Sequence, residues 1–112
     1  MKKIFAIPTE NGKLCAHFGH CDQFAIVKTF ENKISGEEFV TPPVHQPGVY
    51  PSFLAKQGVD VIISGGMGQK AQDLFAQNNI EVHMGVQADS PAQLVENYLT
   101  DQLETGQNMC DH

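Results

Sequence analysis

Tryptophan is absent from this sequence of 112 residues, and no apolar run approaches the ~18 residues that a membrane-spanning helix requires. A spanning segment is therefore excluded from the reading. Basic charge is scarce as well: seven Lys and Arg stand against thirteen Asp and Glu, for a formal net charge of -6. Such a field repels a phosphate backbone, so nucleic acid is not expected as a partner. Cysteine is sparse and odd in number, at three. That count argues against a disulfide scaffold and for thiols kept in a reducing compartment, so a cytoplasmic location is expected. There is no internal repeat and no low-complexity tract.

What is present suits one globular domain. Hydrophobic residues make up 41% and charged residues 18%, with seven Phe, enough to build a core without covalent help. The opening Met1-Lys2-Lys3-Ile4-Phe5-Ala6-Ile7 has the look of a signal peptide, but Pro8, Thr9 and Glu10 cut the apolar run short, and it reads as a first strand. Residues 1–105 are expected to form the domain and the polar, unpatterned residues 106–112 a tail.

Ile4 to Pro8 suits a buried strand, and Glu10-Asn11-Gly12-Lys13 supplies turn chemistry. Cys15 to Cys21 has neither strand nor helix period and reads as a loop. Phe24 to Phe30 is β-branched and aromatic, Glu31-Asn32-Lys33 turns, and Ile34 to Thr41 returns, so a hairpin is expected. Pro42, Pro43, Pro47 and Pro51 then enforce a loop, with Pro51 in the first turn of a helix closed by Gly58. Val59 to Ile63 is a strand, Gly65 to Gly68 a bend, and Met67, Ala71, Leu74 and Phe75 follow the spacing of a core-facing helix. Ile80 to Met84 is the last strand. Ser90-Pro91-Ala92-Gln93 forms a capping box before a helix carrying Leu94, Val95, Tyr98 and Leu99.

Strands joined through single helices pair in parallel with right-handed crossovers, while a hairpin adds an antiparallel edge. The expected fold is an α/β single domain with a mixed five-stranded sheet and helices on its faces. Ile4 to Pro8, Val59 to Ile63 and Ile80 to Met84 should be neighbouring parallel strands.

Chemistry concentrates in Cys15-Ala16-His17-Phe18-Gly19-His20-Cys21, where two thiols and two imidazoles fall within one short loop. Those donors suit zinc, copper, iron and metal–sulfide units, and Gly19 lets the backbone bend so that both histidines face one point. The usual C-x2-C zinc spacing is absent. The alternative is that the cysteines pack inward and one histidine only caps the loop. A second element, Ser64-Gly65-Gly66-Met67-Gly68-Gln69-Lys70, puts glycines between a strand and a helix, where helix N–H groups can meet an anion. It matches neither the P-loop nor the dinucleotide fingerprint, and glycines there can also serve packing alone.

Ligands in open α/β sheets gather outside the carboxyl ends of the strands, so both elements belong to one edge. His45 in the proline-rich loop and Gly85 after the last strand could line the same cleft. His83, within a strand, reads as structural. Cys110 and His112 make a Cys-x-His at the end of the sequence that could bind metal or simply be solvated. Catalytic arrangements are poorly supported: the strands offer only Asp60 and Glu81 as carboxylates, and nothing orients a base for a Cys21–His17 or Cys21–His20 pair.

The run Ala16-His17-Phe18-Gly19-His20-Cys21-Asp22-Gln23-Phe24, the segment Gln57 to Gly68 and the closing Asn108-Met109-Cys110-Asp111-His112 together resemble the dinitrogenase iron–molybdenum cofactor biosynthesis family. The resemblance implies a ribonuclease-H-like α/β domain that binds or transfers a metal–sulfur cluster, of molybdenum with iron or copper and sulfide, without turnover. It implies cluster-assembly or acceptor proteins as partners. It carries His17, His20 and the Gly65, Gly66, Met67, Gly68 turn over as cluster-binding, with Phe18 and Gly19 between the histidines. Cys15 and Cys21 rest on the spacing argument. The competing reading is a small enzyme or sensor that binds a phosphate-type anion at the glycine turn.

Overall fold

The computed structural model describes residues 2–15, 22–41, 49–87 and 89–103. Its first strand, β1 (Lys2–Glu10), is buried from Ile4 to Thr9 and becomes the centre of the sheet. Asn11 and Gly12 both take positive φ, 57° and 84°, which matches the tight turns that suit strand twist, and the chain folds straight back as β2 (Lys13–Leu14). β3 (Gln23–Phe30) and β4 (Lys33–Val40) form the expected hairpin, closed by Glu31 and Asn32 at φ 53° and 62°. Three helices and two strands follow among the described residues: α1 (Val49–Lys56), β5 (Val61–Ile63), α2 (Gln69–Gln77), β6 (Glu81–His83) and α3 (Pro91–Leu99).

The strands lie in the order β4-β3-β1-β5-β6, with β2 paired to β1. β1 meets β3 antiparallel and β5 parallel, and β6 continues parallel to β5. The three expected parallel strands are neighbours, with the hairpin on one side. The sheet has six strands rather than five because the Asn11-Gly12 turn creates β2, a strand too short for sequence periodicity to reveal. β5 and β6 are also shorter than expected. Asp60 nevertheless donates its N–H to the Ile4 carbonyl (2.8 Å) and accepts from the Glu81 N–H (3.0 Å), so the backbone pairing runs on past the regular ladder.

Alternation along the strands gives the sheet two apolar faces. Ile4, Ala6, Phe24, Ile26 and Ile62 pack against Tyr50 and Leu54 of α1 and Phe75 of α2. Phe5, Ile7, Ala25, Val27, Val61 and Ile63 pack against Leu94 and Val95 of α3. Burying each such side chain contributes about 1.5–3 kcal/mol, so the two faces together fix the layer order. Phe24 and Tyr50 meet edge to face at 5.3 Å, which seats α1 over the hairpin side.

The helix ends follow local rules, with one departure. Gly58 (φ 79°) closes α1, its N–H reaching the Ala55 carbonyl at 3.0 Å. Ser90 caps α3 by accepting from the Gln93 N–H at 3.3 Å, and Pro91 opens the first turn. The reciprocal half of the expected capping box is missing. Gln93 turns its amide along the helix to Asn97 (2.9 Å), and the Ser90 N–H instead donates to the Asp89 carboxylate (2.8 Å). Among the described residues no helix is long and apolar enough to cross a membrane.

Candidate functional site

β1, β4, β5 and β6 all end on one edge of the sheet, and β3 begins there. Register fixes the level: Pro8 pairs with Phe24 and Phe24 with Val40, while Ala6 pairs with Ile62 and Ile63 with His83. The direction of chain travel through the sheet reverses at β1, since the hairpin is laid to one side of it and β5 to the other. This is the switch-point geometry at which open α/β sheets hold ligands.

Both ends of the Cys/His segment are tied to that point. Cys15 donates its N–H to the Pro8 carbonyl (2.9 Å) and Asp22 donates to the Thr9 carbonyl (3.0 Å). Because β3 occupies one side of Thr9 and Leu14 the other, Cys15 enters from the β5 side and Asp22 leaves on the β3 side. Ala16 to Cys21 lie outside the described residues, and with them His17, Phe18, Gly19, His20 and Cys21. Cys15 is described and is buried, with 6% of its surface exposed. Its side chain therefore packs inward at the root of the segment.

The glycine turn is described in full. Ser64, Gly65, Gly66 and Met67 are buried, and Gly68 is exposed at the start of α2. The Ser64 hydroxyl donates to the Gly66 carbonyl (3.2 Å), curling the backbone directly after β5. Cross-links to the next loop hold the curl. Ser64 N–H donates to the His83 carbonyl (2.8 Å), Gly85 N–H to the Gly65 carbonyl (2.8 Å) and Val86 N–H to the Ser64 carbonyl (3.3 Å). Gly85 takes φ 73° to do so, a conformation that side chains disfavour.

Gly68 differs. Its backbone is extended (φ -68°, ψ 158°), which any residue can adopt, and a Cβ placed there would meet nothing within 4 Å. Neither conformation nor packing requires glycine at this position. Among the described residues no side chain caps α2 there, and the first helical bond is the Gln72 N–H to the Gly68 carbonyl, so the N–H groups of the first turn have no partner within the helix. Those donors and the positive end of the helix dipole suit an anion.

The remaining sequence-derived candidates divide by location. Val40 ends β4 on the same edge, so the segment containing His45 departs from it, although 42–48 lie outside the described residues. Cys110 and His112 also lie outside them. Among the described residues no three His, Cys, Asp or Glu side chains stand together as a metal site.

Sequence reasoning missed a polar cluster on the α3 face of the sheet, between β6 and β1. The Glu81 carboxylate accepts from the Tyr98 hydroxyl (2.9 Å) and pairs with His83 Nε2 (2.5 Å), and Lys3 reaches the Tyr98 oxygen at 3.4 Å. The His83 imidazole, with Tyr98 behind it, holds the Glu81 carboxyl below its ordinary value against the opposing effect of partial burial. Burial first, then the Glu81 carboxylate, raises the Tyr98 phenol. The Glu-x-His alternation was a visible signal that both side chains share a face, but the crossing of α3 that brings Tyr98 to them was not.

Known proteins resemble this chain in sequence or in fold. The uncharacterized protein MJ0580 of Methanocaldococcus jannaschii is 34% identical over 83 residues, covering 70% of each chain. The crystal structure of PH0822 superposes with a TM-score of 0.84 at 24% identity, over 91% of this chain and 93% of that one. The apo form of the orange protein from Desulfovibrio gigas gives a TM-score of 0.78 at 22% identity, over 95% and 94%. Residues 1–101 match the family described as dinitrogenase iron-molybdenum cofactor, and the chain belongs to that family.

Proposed function

We propose that the protein binds a preformed, anionic metal–sulfur cluster as cargo and holds it for transfer, without turning over a substrate. The observation that carries this reading is the convergence at the end of β1. There the roots of the Cys15–Asp22 segment and the uncapped start of α2 at Gly68 share one edge. A metal sulfide has negative charge and soft edges. Helix N–H groups at Gln69 to Ala71 meet the first property, and His17 and His20, with Cys21, meet the second.

The buried Cys15 is assigned a smaller share, as an anchor of the segment that could add a thiolate. His45 is assigned the rim of the same site, and Cys110 and His112 an auxiliary role. Molybdenum with iron or copper is the expected metal content, given the family. The partners are the proteins that assemble or accept the cluster, and the setting is the cytoplasm.

Anaerobic purification from the native host followed by elemental and sulfide analysis tests the proposal. Molybdenum, iron or copper with acid-labile sulfide near one cluster per chain is the expected result. Stoichiometric phosphate or nucleotide with no metal would replace it with the anion-binding enzyme or sensor reading.

A further inference from the structure

The cluster formed by Glu81, His83, Tyr98 and Lys3 takes no part in the proposed cargo site, yet it links three elements. Tyr98 belongs to the last turn of α3, Glu81 and His83 to the exposed edge strand β6, and Lys3 to β1. The Tyr98 ring is set edge-on to Phe5 at 4.9 Å and to His83 at 5.3 Å, with the Lys3 ammonium 5.4 Å from its centre. Its hydroxyl donates to the same Glu81 oxygen that pairs with His83. One carboxylate oxygen is therefore shared by the helix and the imidazole.

We propose that this cluster is a proton-responsive clasp that fastens the last turn of α3 to β6 when His83 is protonated and loosens it when His83 is neutral. Imidazole is the side chain whose charge ordinarily changes near neutral pH. With a neutral ring, the Nε2–H tautomer still donates to the Glu81 carboxylate, but without a positive charge on the donor. A protonated ring puts charge on both partners, holding the carboxylate in place to receive the tyrosine.

Among the described residues the surrounding charges are few. Lys3 faces Tyr98 from β1, and Asp101 borders the same cavity beside Leu103. Asp60, just before β5, has its carboxylate engaged by the Ile4 N–H at 2.9 Å. Carboxylate and ammonium side chains as classes keep their charge near neutrality, whereas imidazole is the class that changes it. At lower pH the clasp fails for a second reason. Glu81 lies below its ordinary value in the folded chain, so its contribution is complete above the carboxylate range and is lost as pH falls through that lowered value. The clasp is tightest between the two transitions.

Loosening has a defined reach. Leu99 and Leu103 pack on the α3 face of the core just beyond Tyr98, so the clasp sets how firmly the chain leaving α3 is held. His83 also presents its carbonyl to Ser64, at the mouth of the glycine turn.

Amide hydrogen exchange at Val95 to Leu99 in the full-length protein tests the proposal, with intrinsic rates corrected for pH. Exposed ion pairs of this kind shift local opening by roughly two- to fivefold, so exchange should be that much faster at pH 8 than at pH 5.5. His83→Gln, which keeps a donor but takes no proton, should exchange at the pH 8 level at both values. Tyr98→Phe keeps the ring packing on Phe5 and should likewise remove the pH difference. A His83→Gln or Tyr98→Phe protein that retained the wild-type difference would overturn the clasp, as would a wild type with no difference at all.

Discussion

Side chains define the middle of the sheet, whereas backbone groups define its carboxyl edge. Phe5, Phe24 and Ile62 are fully buried and locked between helices. A few residues further along, at Ser64 to Gly68, the outward-facing chemistry is the backbone of a curled turn and the first-turn N–H groups of α2, which have no partner within the helix. The contrast implies that stability and binding can be changed separately. Substitutions in the middle should unfold the protein, and substitutions at the edge should leave a folded protein that binds poorly.

The largest effect expected on the stability side comes from Phe75→Ala. This fully buried ring joins α2 to the face formed by Ile62 and Leu54, so its loss should cost about 3–5 kcal/mol in chemical denaturation. On the binding side, replacing both His17 and His20 with Ala should weaken uptake of a metal–sulfide cluster by at least about tenfold, since a direct ligand matters no less than the groups that orient it. The denaturation midpoint should hardly move. A double variant that lost both binding and stability would erase the distinction between edge and core.

Gly68→Ala sharpens the comparison further. The position is extended and open, so the fold should tolerate the methyl group within about 1 kcal/mol, while the added Cβ crowds the approach to the first N–H groups of α2. Weaker cluster uptake with an unchanged melting curve is the expected outcome. Ser90→Ala gives a smaller effect at the far end of the chain: loss of the cap on α3 should lower stability by about 1 kcal/mol without altering uptake. The smallest effect is that of Glu81→Gln. It removes a carboxylate that the fold stabilises in its ionised form, so the acid limb of the stability curve should become slightly shallower while neutral-pH binding stays constant.

The legibility of the sequence follows the same division. Residues 24–30 announce a strand through β-branched and aromatic side chains, and Glu31-Asn32 announces its turn, because those signals are local. The parallel neighbours of β1 followed from connectivity, since single-helix crossovers leave little choice. β2 was missed because two residues carry no period. The Tyr98–Glu81 contact was missed because residues 17 positions apart meet only through the path of α3 across the sheet. The glycine turn was placed on the correct edge by topology alone. What sequence could not reveal there is that Gly85 needs its glycine for its backbone conformation, whereas Gly68 does not.

Backbone amide NMR during anaerobic titration with a tetrathiometallate anion tests the central claim most directly, because every peptide group reports separately. Cluster binding at the carboxyl edge predicts saturable shifts at Gly66, Met67, Gly68, Gln69 and Lys70, and none at Glu81 or Tyr98. Shifts confined to the α3 side of the molecule, or a glycine turn left unmoved at saturation, would contradict it.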